Sequence, residues 1–367
     1  MTTLAAVSAL LLALVWAGYP LLMRAAAALA PRARPRVPAA WPGVTVVVAS
    51  REPAADILAR VDDLLRSEYP GDLQVVVALD AASPTHESEL AERPRLVVVR
   101  GDPPGGKATG LNAGVRAARG DVLVFTDTHQ RFAPDAIREL VTALADERFG
   151  ATSGRLELPE RGRASLIERY WRMERRLRRD EAVVHSAIGV SGSIYAMRRA
   201  LWTPLPAGLI LDDLYVPMRL VLAGHRVGFT DSARASDVRS TEPAGEYRRK
   251  VRTLTGNFQL CAWLPGVLVP VRNPVWLQFL LHKLLRLLTP YLLAGLAVGI
   301  LGILVGRYGI AAIAAVAASI LLVALAAAAA GKGRALVRLA AWGISIQAAI
   351  VTATVNGLRG RWDVWRR

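Results

Sequence analysis

Two kinds of apolar sequence share this chain and do not mix. Long uncharged runs lie at its ends, Met1 to Met23, Leu287 to Val305 and Ile310 to Ala330, and each is long enough to cross a hydrocarbon core of about 30 Å. Between Val44 and Thr126 the apolar residues come instead in short β-branched runs separated by polar, helix-like stretches. A composition of 53% hydrophobic and 21% charged residues fits only such a segregated chain. The 367 residues hold one sizeable α/β domain plus a few membrane helices, with no room for two domains and the helices together.

The first run lacks the basic start of a cleavable signal peptide, so residues 1–30 are read as a retained anchor, halted by Arg24 and the Pro31 to Pro38 stretch. Those arginines, Arg32, Arg34 and Arg36 among them, place the following domain on the cytoplasmic side of a bacterial-type inner membrane in a multi-pass protein. The two C-terminal runs read as a helical hairpin turning at Gly306 to Tyr308. A third run, Leu339 to Leu358, carries Ser345, Gln347, Thr352, Thr354 and Asn356, and either spans or lies amphipathically against its partners. Ahead of the hairpin, Val275 to Leu288 mixes apolar residues with His282, Lys283 and Arg286, as an interfacial helix would, or as the early start of a span. The expected divisions are therefore 1–30 anchor, 40–260 soluble domain, 261–286 interfacial segment and 287–367 membrane helices.

The net charge of +16 belongs to lipid and phosphate rather than to nucleic acid, because arginines gather beside the apolar runs and no nucleic-acid motif accompanies them. The stretch Arg161 to Arg179 carries eight arginines around Leu166, Ile167, Tyr170, Trp171, Met173 and Leu177; an exposed basic helix and a helix resting on anionic lipid both fit it. Cys261 stands alone, which excludes an internal disulfide, and it reads as a small core residue.

The runs Thr45 to Ala49, Leu73 to Leu79, Leu96 to Val99 and Val122 to Thr126 predict a mostly parallel sheet buried on both faces. Ligands of such sheets gather beyond the carboxyl ends of the strands. There the sequence places Glu52, then Asp80, then Gly105, Gly106 and Lys107, then Asp127 and His129. One strand-end aspartate is commonly a cap or turn, whereas four chemically loaded strand ends in one sheet point to a site.

In this order the motifs VVVASRE, ALDAAS, GGKATGLNAGVRAARGD, FTDTH, GVSGSIYAMRR and LDDLYVPMRL resemble the membrane-bound family 2 glycosyltransferases related to cellulose, hyaluronan and poly-N-acetylglucosamine synthases. The resemblance covers Val44 to the C-terminus and implies a GT-A-type nucleotide-binding fold flanked by transmembrane helices. It implies that Glu52, Asp80, Lys107 and Asp127 bind the nucleotide, and that Asp127 and His129 hold a divalent cation, manganese or magnesium. His129 stands where the family carries a second aspartate, a change that favours manganese over magnesium. Ser191, Gly192, Ser193 and Asp212 would shape the acceptor and diphosphate region, with Asp213 on the family's catalytic aspartate. The alternative for the Asp212, Asp213 pair is an N-cap for a helix running through Leu220.

The segment RRKVRTLTGNFQ resembles the family's Gln-x-x-Arg-Trp motif, aligning Arg249, Arg252 and Gln259 with the acceptor and diphosphate site but placing Thr253 at the tryptophan. Trp263 is the substitute at hand. The implied reaction is inverting transfer from a nucleotide-sugar, a UDP-sugar, to a glycan or lipid-linked acceptor, with an export partner or oligomer completing any channel. The alternatives are single addition to a polyprenyl phosphate and an inactive scaffold of the same fold.

Overall fold

The computed structural model describes residues 1–31, 37–90, 93–157, 166–237 and 243–364. The basic residues Arg32, Arg34, Arg36, Arg366 and Arg367, and residues 161–165 of the arginine-rich stretch, lie outside them. The chain divides into two compact units, one made of Met1–Leu22, Thr241–Phe258 and Phe279–Arg367, the other of Met23–Ser240 and Gln259–Gln278.

In chain order the elements are α1 (Thr2–Ala13), α2 (Tyr19–Leu29), β1 (Val44–Ser50), α3 (Ala54–Leu65), β2 (Leu73–Leu79), β3 (Leu96–Arg100), α4 (Lys107–Arg116), β4 (Val122–Thr126), β5 (Gln130–Phe132) and α5 (Ala136–Ala143). There follow β6 (Phe149–Glu157), α6 (Leu166–Val184), β7 (Tyr195–Arg198), α7 (Asp212–Leu222), β8 (Arg226–Asp237), α8 (Pro243–Trp263), α9 (Trp276–Phe279), α10 (Thr289–Tyr308), α11 (Ala311–Ala329) and α12 (Gly333–Leu358).

The second unit is built on a sheet that, among the described residues, has eight strands in the order β3-β2-β1-β4-β7-β6-β8-β5. Its first half is parallel, as the continuous Val-rich runs require: β1 pairs β2 and β4, and β2 pairs β3. Its second half is mixed, with β7 antiparallel to both β4 and β6. Val46, Val48, Val75 and Val77 pack on one face against Ile57, Val61 and Leu64 of α3 and Ile137 and Leu140 of α5, all buried. Burying each such side chain contributes about 1.5–3 kcal/mol.

The entry to β4 tolerates only glycine. Gly120 donates its N–H to Thr45 Oγ1 at 2.9 Å, and a Cβ there would lie 2.6 Å from Thr45 N and Val44 C. Those are backbone atoms of the central strand and cannot turn aside. Gly120→Ala is therefore expected to cost about 1–3 kcal/mol, read as a lower thermal midpoint in detergent; an unchanged midpoint would show that β1 and β4 separate freely.

The first unit holds the apolar helices. Among the described residues four helical stretches are long and apolar enough to cross a membrane: Thr2–Leu29, Trp276–Tyr308, Ala311–Ala329 and Gly333–Leu358. The first extends past Met23 to Leu29, carrying a π-helical turn at Leu14–Gly18. α1 and α10 pack closely through small residues: a Cβ on Gly299 would meet Ala5 N at 2.8 Å and one on Gly295 would meet Ser8 Oγ at 2.8 Å. Trp16 Nε1 donates to Thr289 Oγ1 at 3.2 Å, and Arg286 lies over the Trp16 ring at 4.6 Å. The hairpin turns at Gly309, whose φ of 67° ends α10, rather than at Gly306 to Tyr308. Arg307 and Tyr308 stay in the last helical turn because only a glycine takes the left-handed position cheaply. Residues 276–288 continue into α10 through a π turn at Leu280–Leu284 and a 3₁₀ turn at Leu285–Leu288.

Candidate active site

The carboxyl ends of the parallel strands assemble around one ammonium group. Lys107 opens α4 directly after Gly105 and Gly106, whose φ angles of 85° and 99° suit glycine alone. Its Nζ lies 3.1 Å from Asp127 Oδ1, just beyond β4, and 3.5 Å from Asp212 Oδ2, in the first turn of α7. Burial works to lower the Lys107 pKa, but attraction to Asp127, Asp212 and Asp213 outweighs it and holds the ammonium well above the usual lysine range.

Gly192 makes this convergence possible. A Cβ added to it would stand 3.3 Å from Asp213 Cβ, slightly tight, and 3.5 Å from Lys107 Nζ, in ordinary contact, so the glycine borders both groups. The Ser191, Gly192, Ser193 loop is held from two directions: Ser191 N–H donates to Ser153 Oγ at 2.9 Å, and Ser193 Oγ donates to Asp127 Oδ2 at 3.1 Å. Asp213 is tied to the same loop through its carbonyl, which accepts from Val190 N–H at 2.9 Å. Asp212 and Asp213 are not a cap. The cap position is Leu211 and no side chain caps the helix, so both carboxylates sit in the positive first turn of α7.

A second group forms beside β1. His129 Nε2 lies 3.0 Å from Glu52 Oε1. Ser50 Oγ accepts from Glu52 N–H at 3.1 Å and from Thr128 Oγ1 at 2.8 Å. Asp80 binds its own loop, with Oδ1 accepting from Ala82 N–H at 2.8 Å and Oδ2 from Gly106 N–H at 2.6 Å. It thereby fixes the glycine turn that delivers Lys107. Gln259 is fully buried. Its amide accepts from Ile210 N–H at 2.8 Å and donates to Gly208 O at 3.0 Å, which holds the loop leading into Asp212. Arg249 and Arg252 lie on the part of α8 that belongs to the first unit.

Two residues beneath this floor escaped the sequence reading. Tyr195 is fully buried, stacked at 4.7 Å on Phe125, which in turn stacks at 5.3 Å on Trp202. Among the described residues its hydroxyl has no hydrogen-bond partner, and burial together with Asp212, Asp213 and Asp127 pushes its pKa well above the usual phenol value. Arg60 is the other, on α3 and likewise fully buried. Cys261 is half-buried on α8 rather than part of the core, and burial pushes its thiol up to about 11.

The model of "glycosyltransferase like family 2" matches residues 42–256, more than half of the chain, and the protein belongs to that family. An N-acetylglucosaminyltransferase of Rhizobium sp. (strain N33) is 28% identical over 142 residues, 36% of this chain and 31% of its own. The beta-monoglucosyldiacylglycerol synthase of Synechocystis sp. is 24% identical over 242 residues, 60% of this chain and 48% of its own. The match thus spans less than half the length of either curated relative. Over almost its whole length the fold matches the mannosyltransferase PcManGT of Pyrobaculum calidifontis, solved with GDP-Man and Mn2+. That match has a TM-score of 0.72 and 23% identity, covering 97% of this chain and 99% of that one. The fold is GT-A-like, with apolar helices at both ends.

Proposed function

We propose that the protein is an inverting glycosyltransferase that moves a sugar from a nucleotide-sugar, a UDP-sugar, to a glycan or lipid-linked acceptor at the cytoplasmic face of a membrane. The observation that carries this is the convergence of Lys107, Asp127, Asp212 and Asp213 on one point at the carboxyl edge of the parallel strands, with Gly192 between them. Asp213 accepts the proton of the acceptor hydroxyl as its oxygen attacks the anomeric carbon, and the nucleoside diphosphate leaves from the opposite face. Lys107 meets the charge that develops on the departing diphosphate.

Among the described residues no three His, Cys, Asp or Glu side chains come together as a cation cage. A divalent cation carried in with the diphosphate needs only one or two protein ligands and takes its remaining oxygens from the substrate. Asp127 would supply that carboxylate, exchanging its contact with Lys107 for the ion. His129, turned toward Glu52, is the further ligand by its place in FTDTH. A bound cation would neutralise the leaving diphosphate.

Incubating purified protein with a panel of radiolabelled UDP- and GDP-sugars, with lipid and oligosaccharide acceptors and with or without Mn2+, tests this reading. Transfer from one donor is the expected result; none from any would reject it. The relatives' names, one a GlcNAc transferase and one the synthase of a glucosylated lipid, make diacylglycerol an acceptor to include beside polyprenyl phosphate.

The basic helix α6 fits a catalytic domain working against a lipid surface. Arg169, Arg172 and Arg176 recur at helical spacing and are all exposed, and Trp171 is exposed on the same helix. Each arginine near an anionic surface contributes about 1 kcal/mol. Transfer in nanodiscs containing anionic phospholipid is expected to exceed that in neutral nanodiscs, and the triple Arg169→Glu, Arg172→Glu, Arg176→Glu variant to lose the difference. Equal response of variant and parent would remove α6 from lipid recognition.

A further inference from the structure

The first helix of the soluble domain buries an arginine completely. Arg60 has no exposed surface, although it lies on α3, a helix otherwise amphipathic around Ile57, Val61 and Leu64. A long cationic side chain is seldom fully buried without partners that hold it there. Arg60 has them on three elements. One guanidinium nitrogen pairs with Asp63 on its own helix. Another donates to Thr126 Oγ1 at 2.8 Å, at the last residue of β4. Its guanidinium carbon lies 4.3 Å from the centre of the Phe132 ring, on β5. Asp63 closes the loop, because the same oxygen that meets Arg60 accepts from Phe132 N–H at 3.4 Å.

These contacts bracket one segment. Thr126 immediately precedes Asp127, and its hydroxyl donates forward to Asp127 O at 3.3 Å. Phe132 lies three residues beyond His129. The turn that carries both Asp127 and His129 is therefore pinned at its two ends by one guanidinium and its carboxylate. We propose that Arg60 is a positioning residue for the cation and diphosphate corner, the underside clamp that sets where β4 delivers Asp127. Asp127 has a second restraint above the floor in Ser193, so the carboxylate is held from the loop side and its backbone from below.

Chemistry explains why an arginine suits this place. A lysine offers one compact charge, whereas the planar guanidinium reaches Asp63 and Thr126 with separate nitrogens while its face rests on Phe132. Burial pulls its pKa down to about 10 against the pull of Asp63 and Asp127, so the clamp stays charged through neutral pH. The opposing cation is Arg131, which lies in the same strand segment and points its guanidinium to the carbonyls of Thr128 and Gln130 at 3.1 and 2.9 Å. It ties the interior of the turn that Arg60 ties at the ends.

The proposal rests on the functional reading above, and the test separates the two. Thr126→Val removes the hydroxyl through which Arg60 holds β4 and preserves volume; Thr126→Ser keeps the hydroxyl. The quantity read is binding of UDP, or of GDP where the donor panel selects it, with Mn2+ and again in EDTA. Thr126→Val is expected to weaken Mn2+-dependent binding about tenfold, the usual loss when a group behind a metal ligand is removed, leave binding in EDTA unchanged, and lower kcat more than it raises KM. Thr126→Ser is expected to match the parent. Should Thr126→Val not yield folded protein, Arg60→Lys reads the same quantity, since it keeps the cation and lacks the fork. A folded variant of either kind with unchanged Mn2+-dependent binding overturns the clamp. Absence of Mn2+-dependent nucleotide binding in the parent protein would instead overturn the functional reading.

Discussion

Asp213→Asn is expected to lower sugar transfer by about 10³-fold, within the range contributed by a positioned general base, while nucleotide binding changes by no more than about twofold. The amide keeps the size of the carboxylate, and the Asp213 carbonyl keeps its bond from Val190 N–H, so α7 and the 189–193 loop stay in place. What is lost is the one property the attack requires, an oxygen able to take a proton. Asp212→Asn is the matching control. Asp212 is buried and lies 3.5 Å from Lys107, so it serves to hold the ammonium. Its amide variant should bind nucleotide differently and retain more turnover than Asp213→Asn. Isothermal titration with the nucleoside diphosphate, beside initial rates at saturating donor, resolves the two. Loss of binding and turnover together in Asp213→Asn would move this residue to the diphosphate site; comparable turnover with the parent would exclude it as the base.

The parts of this site that were legible in the sequence are those whose position follows from one strand. Leu73–Leu79 and Val122–Thr126 were bounded to the residue because a strand buried on both faces is a continuous apolar run that ends where solvent and ligand begin. Asp80, Lys107 and Asp127 follow from those ends. The mixed half of the sheet was not legible. β8 alternates only weakly, with Val227, Phe229, Ala233 and Ala235 set between Arg226, Ser232, Arg234 and Ser236 and the alternation broken by Asp231, and β5 spans three residues, too few to show a strand pattern.

Roles set by long-range pairing were also hidden. Arg60 falls on the apolar stripe of α3, at helical spacing with Ile57, Val61 and Leu64, but its partner Thr126 is 66 positions away and shows only when the fold brings it there. Tyr195 appears in the sequence only as part of GVSGSIYAMRR, and its pairing opposite Phe125 is what buries it where Asp212, Asp213 and Asp127 act on its hydroxyl. Gln259 was placed with the acceptor by its motif. The fold gives its amide to the loop at 208–210, where it orients the start of α7.

Lys107→Met is expected to abolish transfer and to lower the thermal midpoint, with the stability recovered by Mn2+ to a greater extent than in the parent. The ammonium is the cation that lets Asp127, Asp212 and Asp213 share one corner. Removing one partner of a fully buried ion pair costs about 3–5 kcal/mol; here the lysine side chain is 29% exposed, and solvent screening reduces this to about 1–3 kcal/mol. The sign of the pH dependence follows. In the parent the folded pKa of Lys107 is raised above its ordinary 10.5, so its stabilisation is complete below that value and is lost only in strong alkali. In the methionine variant the three carboxylates are left without the cation between them, and like charges so close repel one another while ionised. The deficit should therefore be largest above neutral pH and narrow as pH falls toward the carboxylate range. A divalent cation bound at Asp127 would supply the missing charge, so the Mn2+ response measures directly whether this corner accepts a metal. A variant with the parent's midpoint, or one that Mn2+ stabilises no more than the parent, would show that the three aspartates are kept apart by the fold itself and that Lys107 serves the diphosphate alone.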